Sequence, residues 1–178
     1  MLEINIQMIV GFLTLCWIIT RLTVILLKRK FNILREVQLI LVYICMVVIA
    51  RFIFLPLEHV DGHLGTLIFD ASRILPFWIN LMPFTFLNDF YHGWQINIIG
   101  NIAMFIPVGI VWPICFKKLN TIGKSILAGG SFSLFIEIVQ LLFFDRCSDV
   151  DDLLLNTIGV AIGSVIYFGI KKAARIKK

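Results

Sequence analysis

DVDDLLLNTIGVAIGSVIYFGIKK, residues 149–172, is the stretch that decides the fold. Between its acidic opening and its closing lysines, Leu153 to Ile170 carry no charged side chain. That run is close to the roughly 20 residues a helix needs to cross a bilayer. Within and just before it, Asp149, Asp152, Asn156, Gly159 and Gly163 follow one another at spacings of three, four, three and four. On a helix these positions form a single stripe, polar at one end and bare at the other. The bare Gly159-xxx-Gly163 part suits close approach to a neighbouring helix, because small residues replace the missing hydrophobic drive when helices associate in lipid.

Outward from this segment, four more apolar runs qualify as spans: Ile4 to Leu27, Val37 to Leu55, Ile96 to Phe116 and Ser125 to Phe144. The whole chain of 178 residues is 60% hydrophobic and only 15% charged, with a mean hydropathy of +0.96. A soluble domain has about half apolar and a quarter charged residues, so this is an all-α polytopic membrane bundle occupying residues 1–178 as one domain. The formal charge of +5 is not a nucleic-acid signal once its placement is considered. Lys28, Arg29, Lys30 and Arg35 follow the first span, Lys117, Lys118 and Lys124 the third, and Lys171, Lys172, Arg175, Lys177 and Lys178 the fifth. Alternation puts these basic residues on one side. The positive-inside rule makes that side cytoplasmic, with the N-terminus outside and the C-terminus inside. No cleaved leader is expected, because the basic cluster follows the first apolar run instead of preceding it. Cys147 alone among the cysteines reaches the outer connections, so no disulfide framework is expected.

The long outer connection, Pro56 to Gln95, should be partly ordered. Leu64, Leu67, Ile68, Ala71, Ile74 and Leu75 recur at helical spacing, which predicts a short helix lying on the interface, with Trp78, Tyr91 and Trp94 as anchors. A hairpin dipping into the membrane through Ile79 to Leu87 is the alternative, broken by Pro76 and Pro83.

Chemistry is to be sought where polar groups lie at membrane depth, since such groups are costly there and normally face the bundle interior. Asn97 and Asn101 share a face of the third span. Glu137 and Gln140 are three apart in the fourth, with Glu137 seven residues from the expected outer end. Together with Arg146, Asp149, Asp152 and Asn156 they gather at the outer end of three consecutive spans. Glu137, Arg146, Asp149 and Asp152 are the candidates for catalysis, and Asn97, Asn101, Gln140 and Asn156 for ligand binding. Interhelical amide bonds and simple glycine packing are the structural alternatives for the asparagines and for Gly159 and Gly163. Glu137 is the sharpest functional candidate, because an intramembrane acid is costly to keep.

Asp145, Asp149, Asp151 and Asp152 are hard oxygen donors suited to Mg2+ or Ca2+, but the run lacks the central glycine and twelfth-position acid of an EF-hand. Glu58, His59, Asp61 and His63 have zinc-ligand chemistry, yet Pro56 and Gly62 oppose the helix that would align the histidines, which makes a solvated loop the better reading. No metal site and no cofactor are assigned. The nucleophile elbow, zinc-protease helix and P-loop are all missing from the sequence, and no known reaction is indicated. Binding and catalysis both remain open.

The runs NIIGNIAMFIPVG (97–109), EIVQ (137–140) and RCSDVDDLLLNTIGVAIG (146–163), preceded by INLMPF (79–84), resemble the signature of the VanZ-like family of bacterial membrane proteins. The resemblance covers residues 79–163, while the first two spans match no motif. It implies association with resistance to the lipid-bearing glycopeptide teicoplanin in the cell envelope. The polar residues already singled out would form an outer-leaflet pocket whose partner is a membrane lipid, a lipoglycopeptide or a lipid-linked cell-wall precursor. Cys147 and Ser148 stand where the family has other small or aromatic residues. Two rival functions remain: a metal-assisted enzyme acting on a lipid or lipid-linked envelope precursor, and a non-enzymatic accessory subunit that docks a partner helix through the Gly159 and Gly163 face.

Overall fold

The five apolar runs are helices in the computed structural model, which describes residues 2–29, 31–54, 59–60, 63–64, 66–70, 75–85, 94–144 and 146–176. A strand β1 (Leu2–Ile4) leads into α1 (Ile6–Lys28), followed by α2 (Ile33–Phe54). The connection to the next helix contains β2 (His59–Val60), β3 (His63–Leu64), β4 (Leu67–Phe69) and β5 (Ile79–Asn80). Then come α3 (Trp94–Cys115), α4 (Ile122–Gln140), β6 (Ser148–Asp149) and α5 (Val150–Ile176). Each of the five helices is long and apolar enough to cross a membrane, and the chain is a multi-pass all-α membrane protein.

The tightest packing joins α3 and α5, which run parallel. Gly159 faces the Ile102 carbonyl and Gly163 the Ile106 carbonyl, while Gly109 faces the Val160 carbonyl and the Ser164 amide. A Cβ at any of the three would collide with backbone, so these glycines set the distance between the helices. Pro113 lacks an N–H and therefore cannot serve the Gly109 carbonyl one turn earlier. The Ser164 hydroxyl of α5 donates to that carbonyl at 3.5 Å. Antiparallel α4 closes the group, with Gly129 against the Val160 side chain. Phe105, Val108, Ile136 and Val160 form the common core with Cys45 and Ile49 of α2. In lipid this core is held by van der Waals fit and interhelical hydrogen bonds, because burial from lipid gives no hydrophobic gain.

The α2 helix joins α3 at the opposite end of the bundle, where the Cys115 thiol donates to the Gln38 carbonyl at 3.0 Å and Arg35 donates to the Cys115 carbonyl. No residue of α1 is buried. It is attached to α2 by a Thr14–Tyr43 hydroxyl contact of 2.6 Å and by an Arg21–Glu36 ion pair with contacts of 2.8 and 2.5 Å. Arg21, inside the first span, is thus matched by an acid on the neighbouring span.

At the other end the connection between α2 and α3 departs from expectation. Leu67–Phe69 is a strand, paired antiparallel with residues 2–4 through Leu2↔Phe69 and Ile4↔Leu67. The interfacial helix expected from Leu64 to Leu75 therefore does not form in that part, and Ala71 to Ile74 lie outside the described residues. A short apolar run fits either period. Here a partner more than sixty residues away in sequence supplies the backbone bonds, and Phe144 N–H also donates to the Ile68 carbonyl at 3.2 Å. His59 and His63 stand on the paired strands β2 and β3, while Glu58 and Asp61 lie outside the described residues. The fourth helix ends at Gln140, not Phe144, because the chain tightens there: Leu142 N–H turns back to the Val139 carbonyl and Phe143 N–H to that of Gln140. Glu137 is consequently three residues from the helix end and not seven.

Candidate functional site

All eight candidate catalytic and ligand-binding residues line one cavity of about 290 Å³ at the strand-bearing end of the bundle. Asn97 and Asn101 come from α3, Glu137 and Gln140 from α4, Arg146 and Asp149 from the α4–α5 connection, and Asp152 and Asn156 from α5. Phe52 and Ile53 of α2, with Cys147, complete the wall. The helical spacings that put each pair on one face are responsible: four residues for Asn97 and Asn101, three for Glu137 and Gln140.

The carboxylates are held by donors from other elements. Asn101 Nδ2 donates to Asp152 Oδ1 at 2.6 Å and lies 3.4 Å from Asn97 Oδ1, forming a short chain across the α3–α5 contact. Glu137 Oε2 accepts the Asp149 backbone N–H at 2.9 Å. Asp149 itself caps α5, since its Oδ1 accepts the Asp151 N–H at 2.8 Å, and its Oδ2 accepts Asn80 Nδ2 at 3.1 Å. A carboxylate at a helix N-terminus satisfies an otherwise unpaired amide and meets the favourable end of the helix dipole. One Nη of Arg146 donates to the Phe54 carbonyl at 2.5 Å and so fastens the end of α2 to the cavity rim.

Two acceptors in the wall are left over. Gln140 Oε1 and Asn156 Oδ1 have no hydrogen-bond partner among the described residues, although Gln140 is only 5% exposed and Asn156 fully buried. Asn156 spends its Nδ2 on Ser133 Oγ at 3.0 Å, across the α4–α5 contact. A buried acceptor without a partner costs roughly 1–3 kcal/mol, so the arrangement is suited to a visitor that brings donors.

A second polar cluster sits directly beneath β5 and was not assigned a role from sequence. Asp151 accepts from Phe84 N–H at 2.6 Å, Thr85 N–H at 2.8 Å and Thr85 Oγ1 at 2.7 Å. Phe84 has φ 65°, a left-handed conformation unusual for a bulky residue, and the Asp151 carboxylate holds its amide there. β5 runs parallel to β6, with Ile79 opposite Ser148 and Asn80 opposite Asp149. The INLMPF element is thereby pinned to the first turn of α5. Its polar Asn80 and the DVDD run were the available signals. Phe52 and Ile53 gave none, being apolar residues in an apolar span.

Among the described residues no group of three or more His, Cys, Asp or Glu side chains is placed to hold a metal ion. Asp145 lies outside the described residues. Cys147, beyond the spans, has its thiol pushed above the usual thiol range by partial burial, with the Asp149 carboxylate adding to the effect. The Gly159 and Gly163 face, a candidate surface for a partner helix, is covered by α3.

The sequence model of the VanZ/LLP1 family matches residues 40–172, a range that starts within α2 and leaves α1 outside. Protein VanZ of Enterococcus faecium is 32% identical over 89 residues, covering 50% of this chain and 52% of that protein. The aligned segment thus spans about half of each chain. No solved structure matches this chain.

Proposed function

From the premise that the chain belongs to the VanZ/LLP1 family, we propose that it contributes to teicoplanin resistance in the bacterial cell envelope by binding the head of a lipid-bearing ligand in its cavity. The observation that carries this reading is the pair of buried, unpartnered oxygens on Gln140 and Asn156, in a wall that also holds Glu137, Asp149 and Asp152. At about 290 Å³ the cavity stands at the low end of the roughly 300–1,000 Å³ typical of ligand pockets. It has room for a small polar head, with any acyl chain left outside against lipid-facing walls such as Phe52, which is 47% exposed. The basic residues cluster at the other end of the bundle, so the positive-inside rule turns the cavity outward, with the N-terminus outside and the C-terminus in the cytoplasm.

Replacing Glu137 by Gln tests the reading. The change keeps shape and hydrogen-bonding capacity while removing the ionisable group, and an amide is cheaper than a charge to hold at this depth. Membrane abundance, read by immunoblot, should stay level or rise. Teicoplanin susceptibility of the same cells should increase several-fold, with little change toward vancomycin, which lacks the acyl chain. Full retention of resistance at normal abundance removes Glu137 from the site. Equal effects on both drugs would count against lipid-tail recognition.

A further inference from the structure

The chemistry of the cavity wall is lopsided. Glu137, Asp149 and Asp152 face one cationic side chain, Arg146, and two buried acceptors of the wall, Gln140 Oε1 and Asn156 Oδ1, have no hydrogen-bond partner among the described residues. An acidic cluster alone would not specify a ligand. The buried Gln140 Oε1 and Asn156 Oδ1 add an independent requirement, because an organic cation without N–H or O–H donors would leave them unsatisfied. The carboxylates are also not gathered closely enough for one metal ion to be held by three acidic ligands among the described residues. The occupant that meets these conditions is a positive group that donates several hydrogen bonds.

We infer that the cavity recognises a protonated primary amine on the headgroup of a membrane lipid, as in phosphatidylethanolamine. This rests on the reading that the cavity takes a lipid head, and specifies its chemistry. An ammonium has three donors and no acceptor. It matches the carboxylates in charge and the amide oxygens in hydrogen bonding. The neighbouring phosphate of such a head is an anion for which Arg146, on the same wall, has complementary charge and donor geometry. A trimethylated amine has the same charge but no N–H, so phosphatidylcholine would leave the orphaned oxygens unsatisfied. A glycerol head lacks the cation.

The full-length protein, reconstituted with equal amounts of phosphatidylethanolamine, phosphatidylcholine and phosphatidylglycerol of one acyl composition, can be released from nanodiscs and its retained lipid counted by native mass spectrometry. Phosphatidylethanolamine should be retained over each of the others by about tenfold, the effect of one charge-assisted hydrogen bond. Gln140→Leu and Asn156→Leu should reduce that preference several-fold, with monodispersity on size exclusion reporting the fold. The wild-type lipid ratio needs no variant and decides the matter even if both variants aggregate. Equal retention of phosphatidylcholine, or preference for phosphatidylglycerol, overturns the amine assignment while leaving a lipid-binding cavity intact. Retention of no lipid at all overturns the lipid-binding reading as well. Free phosphoethanolamine that competes as well as the lipid would overturn the assignment to a membrane source.

Discussion

The first helix and the fifth are both long apolar spans, yet they occupy the bundle in opposite ways. Nothing in α1 is buried, and a Cβ added at Gly11 would meet no atom within 4 Å. In α5 two glycines lie against the backbone of α3, and Leu155, Asn156, Val160 and Ser164 are buried with them. The contrast shows that apolarity suffices to insert a helix, whereas small and polar residues determine where it sits. It also explains why the site is built on α3, α4 and α5: a cavity needs walls that cannot drift.

The strongest way to break this contrast is to place the same side chain on both helices. Gly163→Leu should cost about 3 kcal/mol or more, because the Ile106 backbone cannot move aside, and the folded fraction in membranes should fall sharply. Gly11→Leu should stay within about 0.5 kcal/mol of wild type. Thermal unfolding of the purified proteins in one detergent measures both, and equal losses would show that α1 is packed as tightly as α5. A smaller effect is expected where the segment after β5 is pinned to α5. Asp151→Ala removes three hydrogen bonds to Phe84 and Thr85 and should cost about 2 kcal/mol. Hydrogen exchange at those two amides should accelerate while α1 amides stay unchanged, and unchanged exchange would refute the clamp.

The attachment of α1 should prove weaker still. Arg21→Gln leaves Glu36 without its bidentate partner, but both groups are partly exposed, at 18% and 20%, so a loss of about 0.5–1 kcal/mol is expected. A loss as large as that of Gly163→Leu would erase the distinction between the two regions. The smallest effect concerns a rate. An impermeant maleimide should label Cys147 on intact cells, whereas a cysteine introduced at Lys118 should react only after the membrane is opened. Because the Cys147 thiol is shifted upward and the thiolate is the nucleophile, its labelling near pH 7 should lag an unperturbed thiol, with the gap closing in alkaline buffer. Labelling of Lys118→Cys from outside would invert the proposed orientation.

Much of this was legible in the chain itself. Five apolar runs of sufficient length, the clustering of basic residues and the stripe from Asp149 to Gly163 are local quantities, set by composition and by the 3.6-residue period of a helix. They were enough to place all eight polar residues on a common cavity wall. What lay beyond them depended on partners distant in sequence. The strand at Leu67–Phe69 exists because residues 2–4 lie beside it, and no window around residue 67 contains that information. Asp151 stands one residue from Asp152, yet successive helical positions point about 100° apart. One carboxylate therefore accepts from the Asn101 amide at the cavity while the other clamps Phe84 and Thr85. Spacing showed that the two differ in direction, but only the packing of β5 against α5 decided what each one meets.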